Sequence, residues 1–272
     1  MLERTSQKVE ITNSQISSWY PMIAVPCYDQ QVTEPFFMSC IRMAMGFKDA
    51  NLHFAISTIT DSLINRARNN LIAKFMANPE FTHIMFIDAD IGFDYEDVIK
   101  LLWHDKDIVT GSYPIKKINW NKVEQLVNKK TPTEKLMTKS LRYVVNPVQD
   151  KKGTVVVDNG AMNIYDAGTG FMLIKREVIE KMIKEYPHLK FKDDTGSLSR
   201  EEMNWTYAFF NSYIDNETGR FLSEDYGFCR YWQDIGGSVW VDPAIDMLHL
   251  GRMKFEGRMM DFLETIVVPE NG

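Results

Sequence analysis

Eight consecutive residues, His83 to Asp90, constrain this chain more than any others: an apolar run, Ile84-Met85-Phe86-Ile87, ends in two carboxylates, Asp88 and Asp90, one residue apart. A run apolar at every position reads as a strand buried on both faces, and such strands sit inside largely parallel sheets covered by helices. Strand side chains alternate, so Asp88 and Asp90 are expected on one side, just beyond a carboxyl edge where open α/β sheets bind ligands. Two acidic oxygen donors there suit a hard divalent cation, and a cation there suits a phosphate. Capping competes with that reading, because Asp90 or Asp94 would serve as N-cap of the helix expected to start near Asp94. Capping explains one aspartate and leaves Asp88, directly after four apolar residues, without a partner.

The 272 residues suffice for one large α/β domain or two small ones with a sizeable core. A net charge of −6 argues against a general nucleic-acid binder, which carries a basic footprint. No apolar run approaches a membrane span and residues 1–4 lack a signal-peptide core, so a cytoplasmic protein without an integral membrane segment is expected, in the host cell if the source is viral. Cys27, Cys40 and Cys229 are odd in number and far apart, which predicts reduced core thiols rather than a disulfide framework.

In chain order, residues 1–20 read as a loose lead-in and 22–27 as the first buried strand. Next come a loop and a helix over 33–47 with Phe37, Ile41 and Met45 at helical spacing. Residues 52–57 form a second strand candidate. Asp61 and Ser62 are placed to cap a helix whose buried stripe is Leu63, Ala67, Leu71 and Phe75, leaving Asn65, Arg66, Arg68, Asn69 and Asn70 on its other face. Exposed arginine is ordinarily a solvated face. At a helix start, however, it sits where backbone N–H groups already favour anions, which points to a nucleoside diphosphate.

Residues 95–103 predict a short helix and 107–113 a strand. The repeating strand-helix order implies right-handed parallel crossovers and a doubly wound sheet. Between Lys116 and Arg142 stand eight Lys or Arg residues and two Glu, with few large apolar groups. This stretch reads as a mobile insertion, either a solvated loop or a flap that senses an anion. From 143 the pattern is β-rich (143–145, 154–157, 171–174), followed by a helix over 176–186 and a polar surface loop over 187–204. Gly168-Thr169-Gly170 allows close backbone approach to a ligand or makes a plain turn. Trp205, Tyr207, Phe209, Phe210 and Tyr213 are core by default, with stacking on a sugar as the other use. Ser223 caps a helix that Gly236-Gly237 stops, with Glu224 and Asp225 in its first turn, where acids stabilise any helix. Residues 239–243 form a last strand, and His249 stands alone at a strand end. The tail beyond it carries Arg252, Lys254 and Arg258 among Gly251 and Gly257, basic enough to fold over a diphosphate.

Together these pieces resemble the GT-A type nucleotide-sugar glycosyltransferases, most closely the compact forms encoded by bacteriophages and large DNA viruses. The likeness runs from the first strand to His249. Asp88-Ala89-Asp90 matches the family's Asp-X-Asp motif, Gly168-Thr169-Gly170-Phe171 a Gly-rich step before the acceptor-side strand, and Glu224-Asp225 the Glu-Asp pair of a catalytic helix. The stretches 66–69 and 104–108 are also similar to fungal Golgi mannosyltransferases.

The resemblance implies one GT-A (Rossmann-like) α/β domain over 1–272: a mostly parallel sheet with helices on both faces, a nucleotide-binding half at 20–115, the basic insertion at 116–142, a β-rich acceptor-side half at 143–250 and a flexible tail at 251–272. It implies a UDP- or GDP-type sugar donor, a glycan or other hydroxyl acceptor, and a cofactor of Mn2+ or Mg2+ on Asp90 and His249. Asp88 is implied as a further ligand or as reaching the ribose, and the mixed oxygen and imidazole set tilts toward Mn2+. Pro26, Tyr28, Asp61, Asn69 and Ala89 would belong to the nucleotide-sugar site, with Arg66 and Arg68 on the phosphates and Gly168, Thr169 and Gly170 on the acceptor side. Asp225 or Glu224 would bind the acceptor hydroxyl and, if the anomeric centre inverts, deprotonate it.

Two alternatives stay open. A nucleotidyltransferase would carry a Gly-rich basic loop after the first strand, where this chain has Pro26-Cys27-Tyr28-Asp29-Gln30. A non-catalytic sugar-binding module would have no need of Asp88, Asp90, Glu224, Asp225 and His249 together.

Overall fold

The computed structural model describes residues 11–143, 145–252 and 259. The helices whose two ends lie among the described residues run in chain order as α1 (Asn13–Ser18), α2 (Glu34–Asp49), α3 (Ile64–Ala77), α4 (Tyr95–Trp103), α5 (Trp120–Asn128), α6 (Thr133–Ser140), α7 (Arg176–Glu185) and α8 (Glu224–Asp234). The strands are β1 (Pro21–Cys27), β2 (Ala55–Thr60), β3 (His83–Ile87), β4 (Ile91–Gly92), β5 (Ile108–Gly111), β6 (Pro114–Ile118), β7 (Leu141–Tyr143), β8 (Val157–Asp158), β9 (Ala161–Ile164), β10 (Phe171–Lys175), β11 (Tyr213–Ile214), β12 (Phe221–Leu222), β13 (Val239–Asp242) and β14 (Leu248–His249).

Eight of the strands form one sheet in the order β2-β1-β3-β10-β5-β13-β9-β8. Strands β1, β2, β3, β5 and β13 point the same way, while β10 runs against them between β3 and β5. Alternation along each strand divides the core in two. Met22, Ala24, Ile84, Phe86, Met172 and Ile174 face α3, α7 and α8 through Leu71, Phe75, Met182, Phe228 and Trp232. Ile23, Val25, Met85, Ile87 and Leu173 face α2 and α4 through Met43, Phe47, Leu101 and Leu102. The outcome is the mostly parallel, Rossmann-like α/β sheet expected, with helices on both faces, consistent with the GT-A-like architecture the sequence resembles.

This topology fixes the site. The carboxyl ends of β1, β2, β3, β5 and β13 share one edge, and because β10 is antiparallel, its amino end, preceded by Gly168-Thr169-Gly170, arrives there too. The Asp88 amide donates to the Gly170 carbonyl at 2.9 Å, which ties the end of β3 to the start of β10. The nearby ribbon β4/β14 joins Ile91 to His249.

Several expectations need correction. Residues 13–18 of the lead-in are helical, closed by a Thr12 capping box with Gln15. Phe37, Ile41 and Met45 lie on the exposed face of α2, whose buried stripe is Phe36, Ser39, Met43, Gly46 and Phe47. The second strand starts at Ala55 rather than 52, because Asn51 (φ 56°) and Leu52 close α2, with the Leu52 amide on the Phe47 carbonyl at 2.8 Å. Leu63 is the exposed N-cap of α3, and Asp61 does not cap it. On the same helix Arg68, Asn69 and Asn70 are buried, not solvated.

The basic stretch is not a loop. Strands β6 and β7 pair and frame the packed helices α5 and α6, with Leu126 buried. In the later part, β7 ends at Tyr143 and β8 begins at Val157; β9 carried no recognisable signal. Tyr207, Phe209 and Phe210 are core, and Gly236 (φ 87°) stops α8 where expected. Val144, Lys254, Gly257 and Arg258 lie outside the described residues.

Candidate active site

The shared edge opens into a cleft of about 500 Å3 lined by Pro26 and Cys27 from β1, Tyr28, Gln31, Val32 and Thr33 from the loop that follows, Asp61, Ser62, Ile64 and Arg68 from the start of α3, Asp88, Ala89 and Asp90 after β3, Tyr113 after β5, and Glu224 and Asp225 from α8. Nine residues picked out by sequence therefore share one surface: Pro26, Tyr28, Asp61, Arg68, Asp88, Ala89, Asp90, Glu224 and Asp225. Arg66 and Asn69 are not among the lining residues. Arg66 grips Asp61 with two bonds of 2.6 and 2.7 Å, and those bonds hold the Asp61 carboxyl below its ordinary range. The Asn69 side chain is spent on the backbone of Phe210, donating to its carbonyl and accepting from its amide, each at 2.9 Å.

Arg68 is the centre of the polar network. It is 4% exposed, lies against the rings of Phe86 and Phe210, donates from Nη2 to Asp88 Oδ1 at 3.0 Å and stands 3.8 Å from Glu224 Oε1. Burial opposes its charge, but Asp88, Tyr113 and Glu224 together outweigh burial and hold the guanidinium above its usual pKa. Its Nε and Nη1 are buried without a hydrogen-bond partner.

Asp90 has a different set of neighbours. Lys116 of β6 forms an ion pair with its Oδ2, and His249 Nε2 stands 3.4 Å from Oδ1. His249 Nδ1 lies 2.8 Å from the Pro114 carbonyl, which can only accept, so Nδ1 carries a proton and Nε2 points at Asp90. Burial raises the Asp90 carboxyl, yet His249 and Lys116 beside it prevail and keep it below its ordinary range.

The first turn of α8 carries the remaining acids. Burial, then the charge of Asp225, raises Glu224, with Arg68 partly offsetting them. Burial also raises Asp225, against a hydrogen bond from Ser223 Oγ and one from the Tyr226 amide at 2.9 Å. Both carboxyls are thus better proton acceptors than exposed ones.

On the β10 side a Cβ on Gly170 would stand 2.7 Å from Asp88 Oδ2 and 2.8 Å from the Tyr113 hydroxyl, so glycine leaves both side chains in place where any other residue would shift them. That hydroxyl accepts from the Gly170 amide at 3.0 Å. Gly168 faces the same tyrosine, and Thr169 Oγ1 is buried without a hydrogen-bond partner. A second cavity of about 210 Å3 adjoins the cleft and shares Tyr113 and Asp225 with it; Thr110, Ser112, Gly168 and Tyr226 also line it.

Among the described residues, no three His, Cys, Asp or Glu side chains are gathered closely enough to hold a metal ion alone. Asp88 is turned onto Arg68, leaving Asp90 and His249 as the facing pair. That pair suits a cation that takes its other ligands from a bound substrate, and an imidazole whose second nitrogen is held by a carbonyl is the usual metal-binding arrangement.

The sequence gives Tyr113 no role, and it marks Lys116 only as the start of the basic stretch, not as a partner of Asp90. Both follow β5 with no local mark of function, and only the fold brings them to the carboxylates.

No protein-family model matches the chain, and no curated protein matches it. Solved structures with some similarity include A197 from STIV (TM-score 0.44, 13% identity, 86% of each chain covered), and HddC from Yersinia pseudotuberculosis (0.30, 12%, 66% of this chain and 86% of that one). GalNAc-T7 with UDP, GalNAc and Mn2+ is another (0.42, 8%, 87% of this chain and 44% of that one).

Proposed function

We propose that the cleft binds a nucleoside-diphosphate sugar of UDP or GDP type together with Mn2+ or Mg2+, and that the protein transfers the sugar to a hydroxyl acceptor. The observation that carries this reading is the charge of the cleft: five lining carboxylates, Asp61, Asp88, Asp90, Glu224 and Asp225, outnumber their cationic partners, Arg68 on the lining with Arg66 behind Asp61 and Lys116 beside Asp90. Such a surface repels a diphosphate unless a cation lies between them, and Asp90 with His249 is the pair placed to hold one.

Asp90 and His249 would hold the divalent ion, which would supply Lewis-acid stabilisation of a departing diphosphate. In this reading Pro26 and Tyr28 frame the base, and Asp61, fixed by Arg66, accepts from the ribose. Arg68 orients Asp88 and directs positive charge at the phosphates. Asp225 lines both the cleft and the second cavity, where an acceptor hydroxyl would enter, and its raised carboxyl suits it to take that proton if the anomeric centre inverts. Glu224 stays beside Arg68 on the donor side. Gly168 lines the second cavity, and Gly170 leaves room for Asp88 and the Tyr113 hydroxyl.

The test is release of nucleoside diphosphate from UDP, GDP, CDP and dTDP sugars in MnCl2. Turnover of one donor that Asp90→Ala removes is expected. No release from any donor, or release unaffected by Asp90→Ala, would contradict the reading.

A further inference from the structure

Lys116 stands 26 residues from Asp90 in the sequence and meets it only through the fold. It belongs to β6, whose register is set by β7 and by the helical pair α5 and α6 that the ribbon carries. Its stem lies over Gly251, where a Cβ would stand 2.8 to 3.1 Å from three of its carbons, so a side chain at 251 would push the lysine aside. The Leu250 amide, one residue earlier, donates to the Asp90 carbonyl at 2.9 Å, and the Pro114 carbonyl holds His249. One ribbon therefore positions both His249 and an ammonium group, and that ammonium is paired with the carboxylate best placed for a cation.

We propose that Lys116 is a resident counter-cation of Asp90 that makes divalent-cation binding and nucleoside-diphosphate binding depend on each other. This rests on the reading of the cleft given above. Without nucleotide, Lys116 competes for Asp90 and weakens cation binding. With nucleotide present, the phosphates offer the ammonium another anion, Lys116 leaves Asp90, and its four-carbon stem keeps it within the cleft's charge balance. The carboxylate is thereby protected from casual cations in the absence of substrate.

Mn2+ binding, followed by the electron paramagnetic resonance signal of the unbound ion, tests this in the full chain with and without UDP or GDP. Lys116→Met is expected to tighten Mn2+ about fivefold in the absence of nucleotide, the scale of one partly exposed ion pair, and to shrink the enhancement that nucleotide gives the wild type. Lys116→Arg, which keeps the charge, is expected to behave as wild type, and Asp90→Asn to lose binding in every case. An enhancement equal in wild type and Lys116→Met, with Asp90 still required, would overturn the role of Lys116 and leave the metal-bridged site standing. No Mn2+ binding by any form, with either nucleotide present, would overturn both.

Discussion

Two carboxylates at the same edge of the sheet have opposite surroundings. Asp242 ends β13 and is 2% exposed; its Oδ2 accepts from Lys100 at 2.6 Å and meets His104 Nε2 at 2.8 Å, while Oδ1 accepts from the Ala244 amide at 2.8 Å. Asp90, beyond β3, is 34% exposed, and its partners are Lys116, itself partly exposed, and a histidine. Burial raises Asp242, but His104, Lys100 and the Ala244 amide bring it below its ordinary value, much as His249 and Lys116 do for Asp90. The direction of a titration shift thus does not distinguish a structural acid from a ligand-binding one. Access does: Asp242 is enclosed by its own fold, whereas Asp90 opens onto space that a ligand can fill.

That contrast is broken or sharpened by four measurements. Asp242→Ala leaves Lys100 and buried His104 without their anion, and loss of one partner of a buried ion cluster costs about 3 to 5 kcal/mol, read as a lower denaturation midpoint. The depressed Asp242 carboxyl contributes stability above pH 3.8, its ordinary value, and loses it as pH falls through the lower folded value, a loss that Asp242→Asn would not show. If Asp242→Ala instead removed nucleotide binding from a stable protein, the two sites would have to be exchanged.

Asp225→Asn is expected to lower kcat by about 10^2 to 10^4. Because burial raises Asp225, the wild-type acid limb should lie above pH 3.8, with activity falling as pH drops through the raised value; an identical limb in the variant would remove Asp225 as base. Asp90→Ala should lower turnover about 10^2-fold or more while stability stays within about 0.5 kcal/mol of wild type. The smallest effect is expected from Gly170→Ala, which crowds Asp88 and Tyr113 and should cost about 1 to 3 kcal/mol of stability or binding. No change in either would show that the wall beside Asp88 yields freely.

Legibility in the sequence followed the range of the interactions. Strands β1, β3, β10 and β13 were readable because each is a short apolar run, and α8 because Ser223 and Gly236 punctuate it. The core stripe of α2 was not, because it includes Ser39 and Gly46 while the exposed face offers Phe37, Ile41 and Met45 at the same spacing. Arg68 and Asn69 read as nucleotide-site residues on the face of α3 opposite its apolar stripe, but that they and Asn70 are buried was not readable, because their partners Asp88, Phe210 and Asp193 are remote in sequence. Asp88-Ala89-Asp90 marked the cleft, yet the division of labour between its two acids, one on Arg68 and the other on Lys116 and His249, is set by tertiary contacts. The charged stretch at 116–142 concealed two packed helices because lysine is as compatible with a helix surface as with a loop.

The most direct measurement of the central claim is the melting temperature with nucleoside diphosphate, with and without Mn2+. The account predicts stabilisation that needs both, about 2.7 kcal/mol at a nucleotide concentration near 100 times Kd, and none in excess chelator. Equal stabilisation by the nucleotide in chelator would contradict a cation held between Asp90 and a diphosphate.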